Sequence, residues 1–265
     1  RYLCQHGFAV LCFDWVRPSE NIVAQLLAAA VRSNRPTVSL PHGVFLCTNE
    51  DIAWNRDPAH SIGWRNALAD PFDRVVVQYP FFARYLRDGD ANAAKALVLG
   101  SARYCGEWVK KNIEIVPRLL PAIAHKDPRL KCAFMPTRIQ YKIDVARQRT
   151  TLERLAAVDG AWVVVKPHTR SSLEAELYTG LPLDDVSHIS SVELCQWADV
   201  ILVVASSVMI EALQQSKVVL YLKYLHTNQT LHEEYNDCWI IESEDELIDA
   251  LQRLSADLGD VPYDR

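Results

Sequence analysis

Residues 162–212 read WVVVKPHTRSSLEAELYTGLPLDDVSHISSVELCQWADVILVVASSVMIEA. This stretch contains two apolar runs that each end in polar residues: Val163–Val165 stops at Lys166–His168, and Val200–Val204 stops just before Ser206–Ser207. Continuous aliphatic runs are typical of strands buried on both faces of a parallel sheet. Ligands of open α/β sheets bind beyond the carboxyl ends of such strands. The sequence therefore predicts a ligand-binding edge formed by both polar clusters.

Composition limits the class of protein. The chain has 265 residues, 49% of them hydrophobic, which suffices for one large or two ordinary α/β domains. A net charge of -5 without a basic stripe argues against nucleic-acid binding. The apolar runs are only strand-sized, so neither a membrane-spanning helix nor a signal peptide is predicted. The seven cysteines are scattered, which favours free thiols in the cytoplasm over disulfides or a zinc site.

The order of elements predicts two domains. A strand at Phe8–Phe13, a helical pattern at Ile22–Arg32 and a strand at Thr37–Leu40 form a right-handed crossover unit. Prolines cluster between two sheet-forming halves, which is typical of a linker. We place the boundary there, with domain 1–125 before it and domain 126–265 after it. The chain opens at Arg1 without a methionine, and we expect it to be part of a longer polypeptide.

His42 follows the predicted strand Thr37–Leu40 and precedes Gly43. A histidine at a strand end can present its imidazole to a ligand crevice, and glycine lets the backbone approach a ligand closely. The alternative is a turn histidine bonded to a backbone carbonyl. The following segment, 48–70, is predicted as a long loop, and loops of this length are often functional.

Candidate anion-binding residues lie in the second half. Ser206 and Ser207 open a helical pattern, where unpaired backbone N–H groups favour a diphosphate, although one serine could act only as the N-cap. Glu211 does not have capping-box spacing from Ser207, which leaves it available for another task.

Further cations and donors follow two other strands. Lys166 and His168 flank a proline after Val163–Val165 and suit phosphate oxygens, with a solvated surface lysine as the alternative. Thr137 and Arg138 follow the predicted strand 131–135. A guanidinium there can bind phosphate in a bidentate manner, or form an ordinary surface ion pair.

Other polar residues are assigned no ligand. Asp184-Asp185 resembles metal-binding carboxylates, but no further ligand spacing completes a site, so we interpret the pair as part of a loop. His226 and His232 do not share a helical face and are interpreted as structural.

The ordered motifs SLPHG, VLGSARYCGEW, FMPTR, VVVKPH and ADVILVVASSVMIEAL resemble those of the CDP-glycerol glycerophosphotransferases and related bacterial capsule glycosyltransferases. The resemblance covers nearly the whole chain. It implies a GT-B architecture: an α/β fold of two facing Rossmann-like domains with the active site in the cleft between them. The first strands of the N-terminal domain are expected to be missing. The chain departs from the group's pattern in the order Lys166-Pro167-His168 and in Val204-Ala205 before the serines.

The resemblance also assigns roles. His42 would be the general base that deprotonates an acceptor hydroxyl. Lys166, His168, Ser206 and Ser207 would bind the donor diphosphate, and Glu211 would hold the ribose. Thr137 and Arg138 remain candidates from their strand-end position alone.

The leading functional hypothesis is a metal-independent transferase that moves a sugar or polyol phosphate from a CDP-, CMP- or UDP-linked donor to a surface glycan. No cofactor is expected, because the nucleotide-activated donor is a substrate. Expected partners are this donor and a glycan or lipid-linked acceptor, with peripheral association at the inner membrane or within a larger polypeptide. The alternatives are a UDP-sugar epimerase and a degenerate transferase module that only binds or assembles.

Overall fold

The computed structural model describes residues 10–14, 21–41, 71–80, 83, 93–115, 129–139, 142–168, 176–227, 230, 233 and 238–263. These residues divide into two compact units, and the division falls between Cys105 and Gly106. The boundary predicted between residues 125 and 126 lies outside the described residues. Helix α2 (Gly106–Ile115) groups with the second unit.

The first unit contains a parallel sheet of four strands in the order β1-β2-β3-β4. The strands are β1 (Leu11–Asp14), β2 (Thr37–Leu40), β3 (Arg74–Val77) and β4 (Ala96–Val98). Helix α1 (Asn21–Arg32) connects β1 to β2 and buries Val23, Leu27 and Ala30, which share one helical face. Val23 and Leu27 pack with Phe13 and Phe72. The predicted strand-helix-strand unit is confirmed.

The second unit contains a parallel sheet of six strands in the order β10-β9-β8-β5-β6-β7. Its strands are β5 (Leu130–Met135), β6 (Ala161–Val165), β7 (Asp184–Asp185), β8 (Val200–Val203), β9 (Val218–Leu222) and β10 (Trp239–Ile241). Its helices after α2 are α3 (Val145–Ala156), α4 (Ser191–Trp197), α5 (Val208–Gln214) and α6 (Glu244–Ala256). If β5 is counted as strand 1 and the others follow in chain order, the sheet read from β7 to β10 has the order 3-2-1-4-5-6. This is the strand order of a Rossmann fold.

Side chains of successive strand residues point to opposite faces, and both faces of this sheet are covered. Phe134 and Leu202 pack on the face that carries α3 and α6. Ala133, Ile201 and Val203 pack on the face that carries α4 and α5. The strands are apolar on both faces for this reason, as the sequence predicted. None of the helices within the described ranges combines the length and apolarity that a bilayer crossing requires.

Candidate functional site

The strand order places a crevice at the carboxyl ends of β5 and β8. The chain leaves β5 in one direction to reach β6 and β7, and then returns to β8 on the other side of β5. Connections therefore diverge between β5 and β8, and ligands of doubly wound sheets bind at this switch point. Met135 is paired with Val203 there, so the segments that begin at Pro136 and Val204 start side by side.

Ser206 and Ser207 occupy the turn that follows β8. Their backbone amides donate to no backbone carbonyl within the described chain, as expected before the first turn of α5. Ser207 is the N-cap residue, but its side chain makes no capping hydrogen bond. The hydroxyl of Ser206 accepts from the amide of Val208 at 3.4 Å. The serines therefore offer amide and hydroxyl donors at the switch point rather than serving only as caps.

Ala205 makes this turn possible through an unfavourable backbone conformation. Its φ is +42°, in the left-handed region that residues with a Cβ rarely adopt. Such strain persists only where the surrounding structure imposes it, and it is common at ligand sites. Here the turn redirects the chain from the buried strand β8 into α5.

We expect Ala205→Val to lower the free energy of unfolding by about 1–2 kcal/mol, because a β-branched residue tolerates positive φ less well than alanine. Ala205→Gly is the matched control and should be at least as stable as the wild type, since glycine adopts this φ freely. Urea titration of the three proteins measures the difference. Equal stability of the valine and glycine variants would contradict the strained turn.

Thr137 and Arg138 follow the central strand β5 and lie at the same switch point. Thr137 is buried. Arg138 is half-buried, and its Nε is a buried donor with no hydrogen-bond partner among the described residues. A buried donor without a partner costs free energy, so such a group usually serves a ligand or an ion. Arg138 is therefore the cation of this edge that is best placed to bind an anion.

Lys166 follows β6, one strand beyond β5 from the switch point. Its ammonium group donates to the carbonyl oxygen of Ser187 at 3.1 Å, toward the β7 side of the sheet. Burial lowers the pKa of Lys166 below its ordinary value, while the nearby Asp185 carboxylate acts in the opposite direction. His168 is half-buried two residues further on. The Lys166 ammonium group therefore bonds to the segment after β7. Arg138 follows β5, which neighbours the strand β8 that leads to the serines, whereas Lys166 follows β6, one strand further away.

Asp184 and Asp185 form strand β7 at the edge of the sheet, so their interpretation as part of a loop was wrong. Burial by itself raises the pKa of Asp185, but hydrogen bonds from Ser187 and the Tyr178 hydroxyl outweigh it and lower the pKa below its ordinary value. Asp184 accepts from the indole N–H of Trp162 at 2.9 Å. Across the described ranges, no group of three or more potential ligand residues is arranged to hold a metal ion.

Glu211 lies on α5 and is 9% exposed. Its Oε2 accepts a hydrogen bond from the Ser191 hydroxyl on α4 at 3.0 Å. Both helices lie on the same face of the sheet. No local sequence pattern marks Ser191, because its partner is 20 residues away and on another helix.

A buried polar cluster follows β9, which neighbours β8. The Tyr221 hydroxyl and His226 Nε2 are 2.9 Å apart, and Thr230 Oγ1 donates to the same hydroxyl at 3.2 Å. Burial, with a smaller contribution from the positive charge of Lys223, lowers the pKa of His226 to about 4, while Glu233 acts in the opposite direction. The burial and bonding of His226 agree with its structural interpretation.

Two residues singled out from the sequence lie outside the described residues, namely His42 and His232. Strand β2 ends at Leu40, so His42 is two positions beyond a strand end in the chain. Of the predicted donor-binding residues, those after β5, β6 and β8 are brought to neighbouring strand ends: Thr137, Arg138, Lys166, His168, Ser206 and Ser207.

Comparison with known proteins identifies the fold. No model of a protein family matches the chain, and no protein of curated function matches it. The UDP-GlcNAc 2-epimerase from Methanocaldococcus jannaschii superposes with a TM-score of 0.63 at 14% identity, over 95% of this chain and 71% of that one. The UDP-GlcNAc 2-epimerase from Neisseria meningitidis, solved bound to UDP-GlcNAc, gives 0.61 at 14% identity over 88% and 65%.

The wall teichoic acid polymerase TagF, solved with CDPG, superposes with a TM-score of 0.53 at 12% identity, over 85% of this chain and 61% of that one. All three are enzymes of the GT-B type. The matches confirm the predicted α/β fold with Rossmann-like units. At these identities they establish the fold and not the activity.

Proposed function

We propose that this protein is a GT-B-type transferase that moves a sugar or polyol phosphate from a CDP-, CMP- or UDP-linked donor to a surface glycan. The observation that carries the proposal is the buried Nε of Arg138, which has no hydrogen-bond partner in the described chain and follows β5 at the switch point, where the paired strand β8 leads to Ser206 and Ser207. Nucleotide ligands bind at this point in related folds, and a guanidinium suits their phosphates.

The proposed chemistry needs charge stabilisation on the leaving group. Displacement at the transferred group leaves negative charge on the nucleotide phosphates. Arg138 and the amides of Ser206 and Ser207 would stabilise this charge, because donors fixed in advance need no reorganisation during the reaction. Lys166 and His168, at the end of the next strand, would contact the outer phosphate oxygens. Thr137, which follows β5 together with Arg138, would be a further member of this phosphate-binding group.

The remaining roles rest on the resemblance of the motifs. His42 would take the proton from the acceptor hydroxyl, since an imidazole has a pKa near neutral pH. Glu211 would bind the ribose. The acceptor would be a glycan or a lipid-linked glycan, and the protein would work on the cytoplasmic side of the membrane. The TagF structure with CDPG and the Neisseria meningitidis epimerase with UDP-GlcNAc both hold a nucleotide compound, which supports a nucleotide-activated donor.

Arg138→Gln tests the anion site. We expect the affinity for CDP and UDP to fall about 30-fold, which corresponds to the loss of a charge-assisted contact of about 2 kcal/mol. Affinity for cytidine and uridine should not change, because these nucleosides carry no phosphate. The free variant should be at least as stable as the wild type, since the buried Nε that it removes has no hydrogen-bond partner among the described residues. Isothermal titration and urea unfolding measure these quantities.

The matched control is Arg154→Gln in the same unit. Arg154 forms a surface ion pair with Asp245 at 2.7 Å, so its replacement should leave nucleotide affinity unchanged. An Arg138→Gln variant that binds CDP and UDP as well as the wild type would remove this arginine from the donor site. If the wild type binds none of CMP, CDP, UMP and UDP, the proposed function fails.

A UDP-sugar epimerase is the second candidate. The two epimerases superpose with TM-scores of 0.63 and 0.61, whereas TagF gives 0.53. Incubation with UDP-GlcNAc in the absence of an acceptor separates the two activities, because an epimerase inverts the sugar carbon without a second substrate. A protein that binds nucleotides but turns over neither donor class would be a binding module.

A further inference from the structure

We propose that Ser191 is a positioning residue that orients the carboxylate of Glu211 toward the ribose of the bound nucleotide. This inference rests on the proposed function, which assigns the ribose to Glu211. The hydrogen bond between the Ser191 hydroxyl and Glu211 Oε2 at 3.0 Å is the observation behind it. Ser191 would thus act through Glu211, without contacting the nucleotide itself.

Ser191 is not needed to begin its own helix. Ser190 is the N-cap of α4, and its hydroxyl accepts from the amide of Glu193 at 3.2 Å. The Glu193 carboxylate accepts from Ser190 in return, which completes a capping box. The first turn of α4 is therefore held by Ser190 and Glu193, and the Ser191 hydroxyl is directed to a different helix.

The bond links two rigid elements. Leu194 and Cys195 of α4 and Met209 and Ala212 of α5 belong to one buried cluster on the same face of the sheet. Ser191 approaches Glu211 from a fixed direction for this reason. Glu211 follows the Ser206-Ser207 turn by one helical turn, so it is close to the proposed phosphate site in the chain.

The chemistry of the carboxylate explains why orientation matters. An ionised carboxylate accepts about four hydrogen bonds, and two adjacent hydroxyls of a ribose need both oxygens held in one plane relative to the sugar. A glutamate side chain has several rotatable bonds, and fixing it before the ligand arrives reduces the entropic cost of binding. A hydrogen bond to Oε2 from a packed helix provides this restraint.

The test compares CDP with 2′-deoxy-CDP, and UDP with 2′-deoxy-UDP, by isothermal titration. We expect the wild type to prefer the ribonucleotide by about 10-fold or more, the effect of one charge-assisted hydrogen bond. Ser191→Ala should reduce this preference to less than about threefold, because Glu211 then lacks the restraint from the Ser191 hydroxyl and binds the ribose less well. Ser191→Thr keeps the hydroxyl and should restore the preference.

Ser255→Ala is the matched control, since Ser255 lies on α6 at the opposite face and donates to the Gln252 carbonyl. Its ribose preference should equal that of the wild type. If Ser191→Ala does not fold, Ser191→Cys provides the same comparison with a weaker donor of similar shape. A purely structural role of Ser191 would lower stability and leave the ribose preference intact, which would overturn the inference.

The two proposals fail in different ways. A wild type that binds CDP or UDP without distinguishing the deoxyribose forms would overturn the role of Ser191 and leave the nucleotide site standing. A wild type that binds no nucleotide would overturn the proposed function, and the inference with it.

Discussion

Turnover of the nucleotide-activated donor is expected to fall about 1,000-fold in the His42→Ala variant, because a positioned general base contributes about 10²- to 10⁴-fold. Affinity for CDP and UDP should stay within about twofold of the wild type, since the groups proposed to bind the phosphates belong to other residues. Single-turnover rates and isothermal titration separate the two quantities.

His60→Ala is the control, as it removes another histidine of the first half to which no role is assigned. It should retain wild-type turnover. A His42→Ala variant that binds the donor and turns it over at the wild-type rate would remove His42 as the base. Loss of nucleotide affinity together with turnover would instead place His42 in donor binding.

A second large effect is expected in the pH dependence of stability. His226 has a pKa of about 4 in the folded protein, compared with 6.5 for an ordinary histidine. Between these values the unfolded chain takes up a proton that the folded chain does not, so stability falls as the pH decreases from 6.5 to 4. The loss is about 3 kcal/mol over this window, and above pH 7 the contribution vanishes.

Urea unfolding at several pH values measures this loss. His226→Gln cannot take up the proton, so its unfolding free energy should depend less steeply on pH between 4 and 6.5, whatever its absolute stability. His188→Gln replaces an exposed histidine of the same unit and should keep the wild-type slope. Equal slopes for the wild type and His226→Gln would show that His226 does not cause the pH dependence.

Local pattern predicted most of the regular elements. The strand Thr37–Leu40 was predicted with the observed bounds and the helix Ile22–Arg32 to within one residue, because an aliphatic run and amphipathic spacing are visible in a short window. The strands Asp184–Asp185 and Trp239–Ile241 were not predicted. Two aspartates have no strand propensity of their own, and they pair because β6 offers backbone groups beside them.

The candidate site was also only partly predictable, because local sequence does not encode contacts between distant segments. The rule that ligands bind at strand ends identified Arg138, Lys166 and Ser206 from the sequence. It could not show that the Lys166 ammonium bonds to Ser187 whereas the Arg138 Nε has no partner in the described chain. Those contacts join segments that are far apart in sequence, and no local pattern encodes them.

The sequence by itself determined most of the buried strands, which polar residues follow them, and that both faces of the second sheet are covered. Hydrophobic periodicity carries this information residue by residue. Only the tertiary structure decided that β5 lies between β8 and β6, and therefore that the segments carrying Arg138 and the two serines leave neighbouring strand ends. Strands pair through backbone groups that every residue possesses, so their order depends on long-range packing of the connecting helices and not on the strand sequences.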